Sequence, residues 1–362
     1  MSPPARRPPE GTYPREVDSI GRLGATVAAL CSPATAGRAP GTAQGAAARA
    51  LILEEFTDLG LDPAGEQGYH QLLPAPGGAN LLGAITGDGP GWIVLGAHYD
   101  HLGGTGHEVF WGADDNASGV AVMLEVARQL VAGAPRGRSV LVSAYDAEEP
   151  PWFREPDMGS QWWVDHPTVP LAEVELMVCL DLVGHRLGPD GLPPHLADTV
   201  FVQGADLAPG LGAALAVLPV PGIFPRPVAD WVMDPMSDHY AFRNAGIPHV
   251  FYTCARSAVY HTPQDRPELL DYEKMAALAS HLTATIEAAR RAPPGSWRFD
   301  LDAADDGSTL VTLRAMAAAV PDLGPGLVAL LGRMEPDATG RLGASERHAI
   351  KAAIEMVEGL LA

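Results

Sequence analysis

Aromatic residues are scarce, at 6% of the 362 positions, although hydrophobic residues reach 47%. The core of so long a chain must then be packed mainly by small aliphatic side chains rather than by rings. Cysteine is scarcer still, with Cys31, Cys179 and Cys254 the only three. None sits in a C-x-x-C spacing, and three thiols cannot complete a disulfide framework. They read as buried structural thiols. No apolar stretch approaches the roughly 18 residues a membrane span requires. None follows the Pro- and Arg-rich first ten residues as a secretory signal would. The expectation is therefore a cytoplasmic chain with no membrane partner. Positive charge is also short: 24 Lys and Arg against 44 Asp and Glu leave a formal net charge of −20. An acidic surface repels phosphate backbones, so no nucleic-acid partner is expected. Beyond that, acidity is a common means of staying soluble and names no partner.

Glycine and proline are plentiful, 40 and 34, and point to many tight loops. The sequence divides into a disordered stretch (1–15), a large α/β domain (16–294) and a helical appendage (295–362). After Thr42 a helical stripe carries Ala46, Ala50, Leu53 and Phe56, with Gly60 as a stop. Residues 80–86, 92–97, 139–145, 176–181, 201–203 and 249–253 read as strands. Residues 117–131 and 271–290 read as helices between or after them. This alternation implies an α/β fold, a three-layer α/β/α arrangement whose central sheet is mixed but mostly parallel. In such sheets functional groups gather at the carboxyl ends of the strands. In the tail, Ser345 can cap a helix bearing Ile350, Ile354, Val357 and Leu361, either as an appendage to the core or as a surface for homo-oligomers.

Chemistry-bearing residues cluster at those strand ends. His98-Tyr99-Asp100 closes one strand, and a ligating His needs an acceptor for its other ring nitrogen, a role open to Asp100. Residues 112–119, Gly-Ala-Asp-Asp-Asn-Ala-Ser-Gly, enter a helix. Asp, Asn and Ser all serve as caps, but two consecutive acids exceed what a cap requires. Glu148 and Glu149 follow a strand, and adjacent carboxylates repel unless a cation neutralises one. Asp181 ends a buried strand, and Tyr260-His261-Thr262 lies in the loop after another. Together they supply two His and three carboxylates as candidate ligands, with one carboxylate spare. Two metal ions bridged by an Asp, each with a His and a further carboxylate, need that set. Imidazole with carboxylate suits Zn²⁺, with cobalt or manganese also able to bind.

Taken in order, these motifs resemble those of metallopeptidase family 28, the co-catalytic zinc aminopeptidases. Asn80-Leu81-Leu82-Gly83, Met158-Gly159-Ser160, Ser237-Asp238-His239, Gly246-Ile247-Pro248 and the run from His261 to Asp265 support the resemblance, which covers about residues 79–290. It implies that Asp115 bridges two Zn²⁺ ions, that His98 and Asp181 complete one site, and that Glu149 and His261 complete the other. It makes Glu148 the general base and acid that activates a metal-bridging water. Asp100 would orient His98, and Tyr260 would hydrogen-bond the oxyanion. It also implies a cis peptide bond between Asp115 and Asn116. The expected substrate is a peptide or small aminoacyl compound with a free amino terminus.

Pro150-Pro151-Trp152-Phe153 departs from the family's usual continuation, so specificity does not transfer. Trp152 and Phe153 are candidate pocket residues, with Trp162 and Trp163 nearby. Asp238 and His239 either support the ligands or touch substrate. His107-Glu108 lacks the second His of a zincin helix, and with His101, near the first ligand, it reads as loop. Two rival readings stand. One is a glutaminyl cyclase-like acyltransferase with one zinc, whose relatives carry Trp where this chain has Tyr260. The other is a non-catalytic relative, which would have lost ligands or base, and none is missing here.

Overall fold

The computed structural model describes residues 19–105, 108–134, 136–188, 191–215, 221–303, 305–319 and 325–361. The stretch read as disordered (1–15) and His107 lie outside the described residues. One nine-stranded sheet organises the chain. Its strands are β1 (Asp62–Pro63), β2 (His70–Leu72), β3 (Ala79–Ile85), β4 (Trp92–His98), β5 (Ser139–Tyr145), β6 (Val174–Leu180), β7 (Thr199–Gln203), β8 (Phe224–Val228) and β9 (His249–Thr253). The spatial order is β1-β3-β5-β4-β6-β9-β7-β8, with β2 also paired to β3. The pairs β5·β4, β4·β6 and β6·β9 are parallel, as is β7·β8. The pairs of β3 with β1, β2 and β5, and of β9 with β7, are antiparallel.

Strand period explains the two buried faces. Ile93 and Leu95, Val140 and Val142, Leu176 and Val178, and Val250 and Tyr252 join one apolar cluster. The intervening Val94, Leu141, Met177, Cys179 and Phe251 join the other. Alternate side chains point to opposite faces, and helices cover both, giving three layers. On the first face lie α1 (Ser19–Leu30), α2 (Ala43–Asp58), α3 (Gly119–Ala132) and α4 (Tyr272–Arg291). On the second lie short helices at Gly159–Asp165 and His239–Asn244, which contribute Trp163 and Phe242. The three cysteines are buried and unpaired.

Thr42 does cap α2, accepting from the Gly45 amide. The buried stripe is nevertheless Gly45, Ala48, Ile52 and Phe56, because Ala46 and Ala50 face outward. Helix α4 is capped by Asp271, whose side chain accepts from Lys274 N at 2.9 Å. The tail forms α5 (Asp306–Ala319), α6 (Pro325–Leu331) and α7 (Ala344–Leu361). Its start differs from the expectation, since Ser345 lies inside α7 and the Glu346 side chain accepts from Gly343 N at 2.8 Å. Leu310, Leu331, Met334, Leu342 and Ile350 form a small core of their own against Trp231. Among the described residues, no helix is long and apolar enough to cross a membrane.

Candidate metal centre

Because β5, β4, β6 and β9 run parallel, their carboxyl ends share one edge of the sheet. His98 is the last residue of β4. Glu148 and Glu149 follow β5, Asp181 follows β6, and the loop after β9 carries Tyr260 and His261. Asp115 enters from residues 113–118, a tight helical turn interrupted at Asp115 (φ −107°) and Asn116 (φ −130°). The bond between these two is cis, as the resemblance implied. Asn116 fastens the turn: its Nδ2 donates to Leu180 O at 2.8 Å, and its Oδ1 accepts from Gly119 N at 2.9 Å. Gly112 precedes the turn at φ 58°, and a Cβ there would strike the Asp115 carbonyl and the His101 ring. Only glycine meets both demands without cost.

The five expected ligands converge. His98 Nε2 lies 3.4 Å from Asp115 Oδ1 and 3.5 Å from Asp181 Oδ1. His261 Nε2 lies 3.1 Å from Asp115 Oδ2 and 3.2 Å from Glu149 Oε2. Bonds of about 2.0–2.1 Å in a tetrahedron put neighbouring donors about 3.3 Å apart, so these spacings fit zinc. The orphaned atoms agree: His98 Nε2, His261 Nε2 and Asp181 Oδ1 are buried and accept or donate no hydrogen bond. Buried polar atoms without partners are costly, and a shared cation removes the cost. His261 takes a left-handed backbone, φ 57°, a conformation that costs a non-glycine residue about 1–3 kcal/mol and collects at functional sites.

Charge in the site points the same way. Burial, with the Glu149, Asp181 and Asp238 charges, lifts the Glu148 carboxyl well above its usual range despite His98. Burial also raises Asp181 to about 6. His261 is opposed by burial, but Asp115 and Glu149 carry it up to about 9. His98 is likewise lifted by Glu148 and Asp181 against its burial. Acids reluctant to ionise and imidazoles eager to charge describe a cavity with surplus negative charge, one that favours a cation.

Asp100 does more than was expected of it. Its Oδ1 lies 3.5 Å from His98 Nδ1, and its two oxygens accept from the Glu148 and Glu149 amides at 3.1 Å each. The first of the consecutive acids is also explained. Asp114 turns away from the ligands, with Oδ2 2.6 Å from His185 Nδ1 and Oδ1 accepting from Gly184 N at 2.7 Å. Tyr260 stacks on His261, ring centroids 3.8 Å apart, and the Arg256 guanidinium lies 4.7 Å over the Tyr260 ring. Trp152 and Phe153 are half-buried in the loop after Glu149, where Trp152 N donates to Glu149 O at 3.0 Å. Trp163 belongs to the core.

Asp238 is 0% exposed and neither of its oxygens is hydrogen-bonded. Of its two readings, complete burial favours support of the ligands over contact with substrate. The His239 ring is wholly buried and stacked 4.3 Å from Phe251. His101 is a site residue that sequence reasoning missed. It lies in a loop as expected, but that loop carries it into the site, where it is fully buried with Nδ1 2.8 Å from Glu149 Oε1. A histidine three places after a ligand, beside Asp100, was the available signal. Two further supports went unread. Asp265 accepts from the Asp114 and Asp115 amides at 2.9–3.1 Å. Buried Arg38 donates to the carbonyls of Tyr99, Trp111, Gly112 and Asp115.

Comparison with known proteins agrees with this geometry. The pattern of Peptidase family M28 matches residues 80–286. The protein YfbL of Escherichia coli strain K12 is 33% identical over 218 residues, 52% of this chain and 64% of YfbL, so the chain spans less than two thirds of that relative. A Zn-dependent exopeptidase of Parabacteroides distasonis is similar in fold, with TM-score 0.58 and 24% identity over 74% of this chain and 97% of that one. The glutaminyl cyclase of Porphyromonas gingivalis is similar too, with TM-score 0.56 and 21% identity over 75% and 97%.

Proposed function

Because the chain belongs to peptidase family M28, we propose that it is a zinc-dependent peptidase, an aminopeptidase that cleaves peptides or small aminoacyl compounds at a free N-terminus. One observation carries the reading. The two oxygens of Asp115 face different histidines, His98 on one side and His261 on the other. That arrangement suits two Zn²⁺ ions, or other divalent ions, with His98 and Asp181 beside one and His261 and Glu149 beside the other. Such a pair lowers the pKa of water and polarises the scissile carbonyl.

The remaining work falls to this chain's own side chains. Glu148 is the spare carboxylate, its Oε2 3.8 Å from His98 Nε2. A buried carboxyl held up in pKa suits proton transfer near neutral pH. It takes a proton from the attacking water and hands it to the leaving amine. Asp100 fixes the backbone from which Glu148 projects. Tyr260 donates its hydroxyl proton to the developing oxyanion; burial, with the charges of Asp115, Glu149 and Asp181, keeps that hydroxyl protonated by pushing its pKa up. The surplus negative charge welcomes an α-ammonium group, which favours amino-terminal cleavage. Trp152 and Phe153, next to Glu149, are proposed to line the side-chain pocket.

The glutaminyl cyclase reading is less well supported. It needs one zinc, whereas the site offers donors for two, and its relatives carry Trp where Tyr260 stands. The test is a panel of unblocked and N-blocked peptides, assayed before and after chelation, with zinc counted per chain. Chelation-sensitive cleavage of unblocked substrates with about two zinc ions supports the proposal. Cleavage of blocked substrates alone rejects the aminopeptidase reading. One zinc per chain with cyclisation of N-terminal glutamine points to the cyclase.

A further inference from the structure

We propose that His101 is a positioning residue for the second metal site, donating from Nδ1 to Glu149 so that the other carboxylate oxygen faces the ion. This rests on the two-metal reading above. His101 and His261 both approach the Asp115–Glu149 pair, and either could be taken for the ligand. The distances separate them. His261 Nε2 is 3.1 and 3.2 Å from its two carboxylate neighbours, close to the tetrahedral edge of about 3.3 Å. His101 Nδ1 is 2.8 Å from Glu149 Oε1 and 4.0 Å from Asp115 Oδ2. The first is shorter than a shared edge and has hydrogen-bond length; the second is too long for a shared ion.

The two oxygens of Glu149 thus have separate partners, Oε1 with His101 and Oε2 with His261. A carboxylate can only accept, so the proton of this bond sits on His101 Nδ1. That nitrogen therefore has no lone pair for a metal. Burial makes the bond exclusive, since His101 is 0% exposed and packs against Gly112. Hydrogen-bond partners of metal ligands are worth about 10–100-fold in metal affinity.

The experiment measures zinc release from the loaded protein by chelator competition, for wild type and for H101A, H101N and H261A. Asn carries an amide donor where His carries Nδ1; Ala carries none. The expected result is a 10–100-fold weaker second zinc in H101A, affinity within a few-fold of wild type in H101N, and loss of that zinc in H261A. The first zinc stays in all three. Circular dichroism melts of the metal-free proteins identify any variant that fails to fold, and H101N then carries the comparison. Two tightly held ions in H101A, or H101N as weak as H101A, overturns the role of His101. A wild type holding one ion refutes the two-metal reading itself.

Discussion

Arg38 gives the sharpest test of how the ligand loops are held. It is 0% exposed, with no carboxylate partner among the described residues. Its guanidinium donates to Tyr99 O at 2.7 Å, Trp111 O at 2.6 Å, Gly112 O at 2.6 Å and Asp115 O at 3.1 Å. It thereby joins the loop after His98 to the turn that presents Asp115. Replacement by Met keeps the apolar stem and removes every donor. Trp111 O keeps the Cys31 thiol and Gly112 O keeps the Ala117 amide, so at about 1 kcal/mol for each buried acceptor left without a partner, Tyr99 O and Asp115 O lose about 2 kcal/mol. The variant no longer buries a cation, which offsets part of that. Guanidinium is weakly hydrated among cations, so the offset is the smaller quantity. The net expected loss is about 1–2 kcal/mol. Urea unfolding of the metal-free protein measures it as a lower midpoint at unchanged slope. Lys should fall between, since one ammonium cannot span carbonyls that a five-donor fork reaches. Zinc affinity should drop as well, because the Asp115 backbone is released. An R38M midpoint within about 0.5 kcal/mol of wild type would refute the reasoning.

Three further outcomes are expected. Glu148→Gln should keep its zinc and lose about 10²–10⁴-fold in kcat; full activity would sink the proton-transfer role. Tyr260→Phe should lose roughly a hundredfold in kcat, with zinc content and KM little changed, and a pure KM effect would instead mark Tyr260 as a binding residue. Asp206 is raised to about 7, chiefly by burial. Its folded pKa lies above the unfolded value of about 3.9, so ionising it costs stability, and the cost appears as pH climbs from about 4 to 7. Asp206→Asn should therefore melt higher than wild type at pH 8 by the equivalent of about 1–3 kcal/mol and match it near pH 4. A difference independent of pH would show that burial of this charge is not the cause.

The ligand set was legible because all its members but Asp115, which enters from the turn before α3, sit at or beyond strand ends that apolar runs announce. Ser139–Tyr145 and His249–Thr253 were found at their observed boundaries, since continuous buried strands leave little ambiguity. The stripe of α2 was misread because an Ala-rich helix offers several apolar faces, and tertiary packing picks one. Strand β8 reads Phe-Pro-Arg-Pro-Val, and two prolines argue against a strand unless it lies at an edge, a position the sequence does not disclose. Arg38 gave no signal, and Asp265 was read only as the end of a motif, without a role. Their partners are backbone atoms, which every residue carries, and the contacts exist only once the chain has folded. His101 was passed over as a loop residue because its partner Glu149 is 48 positions away.

The C-terminal helices have a bearing on how copies of this protein meet one another. Strand β8 ends the sheet, and its outer side is occupied by α5: Thr312 donates to Pro227 O at 2.8 Å, and Thr309 accepts from Ala229 N at 2.7 Å. Trp231 Nε1 donates to Asp306 in the same helix. An unguarded outermost strand is a template onto which a second chain can zip. Here prolines and a helix shield it together, so the sheet stops at nine strands, and trimming the chain before residue 306 would leave a surface prone to growing by strand upon strand.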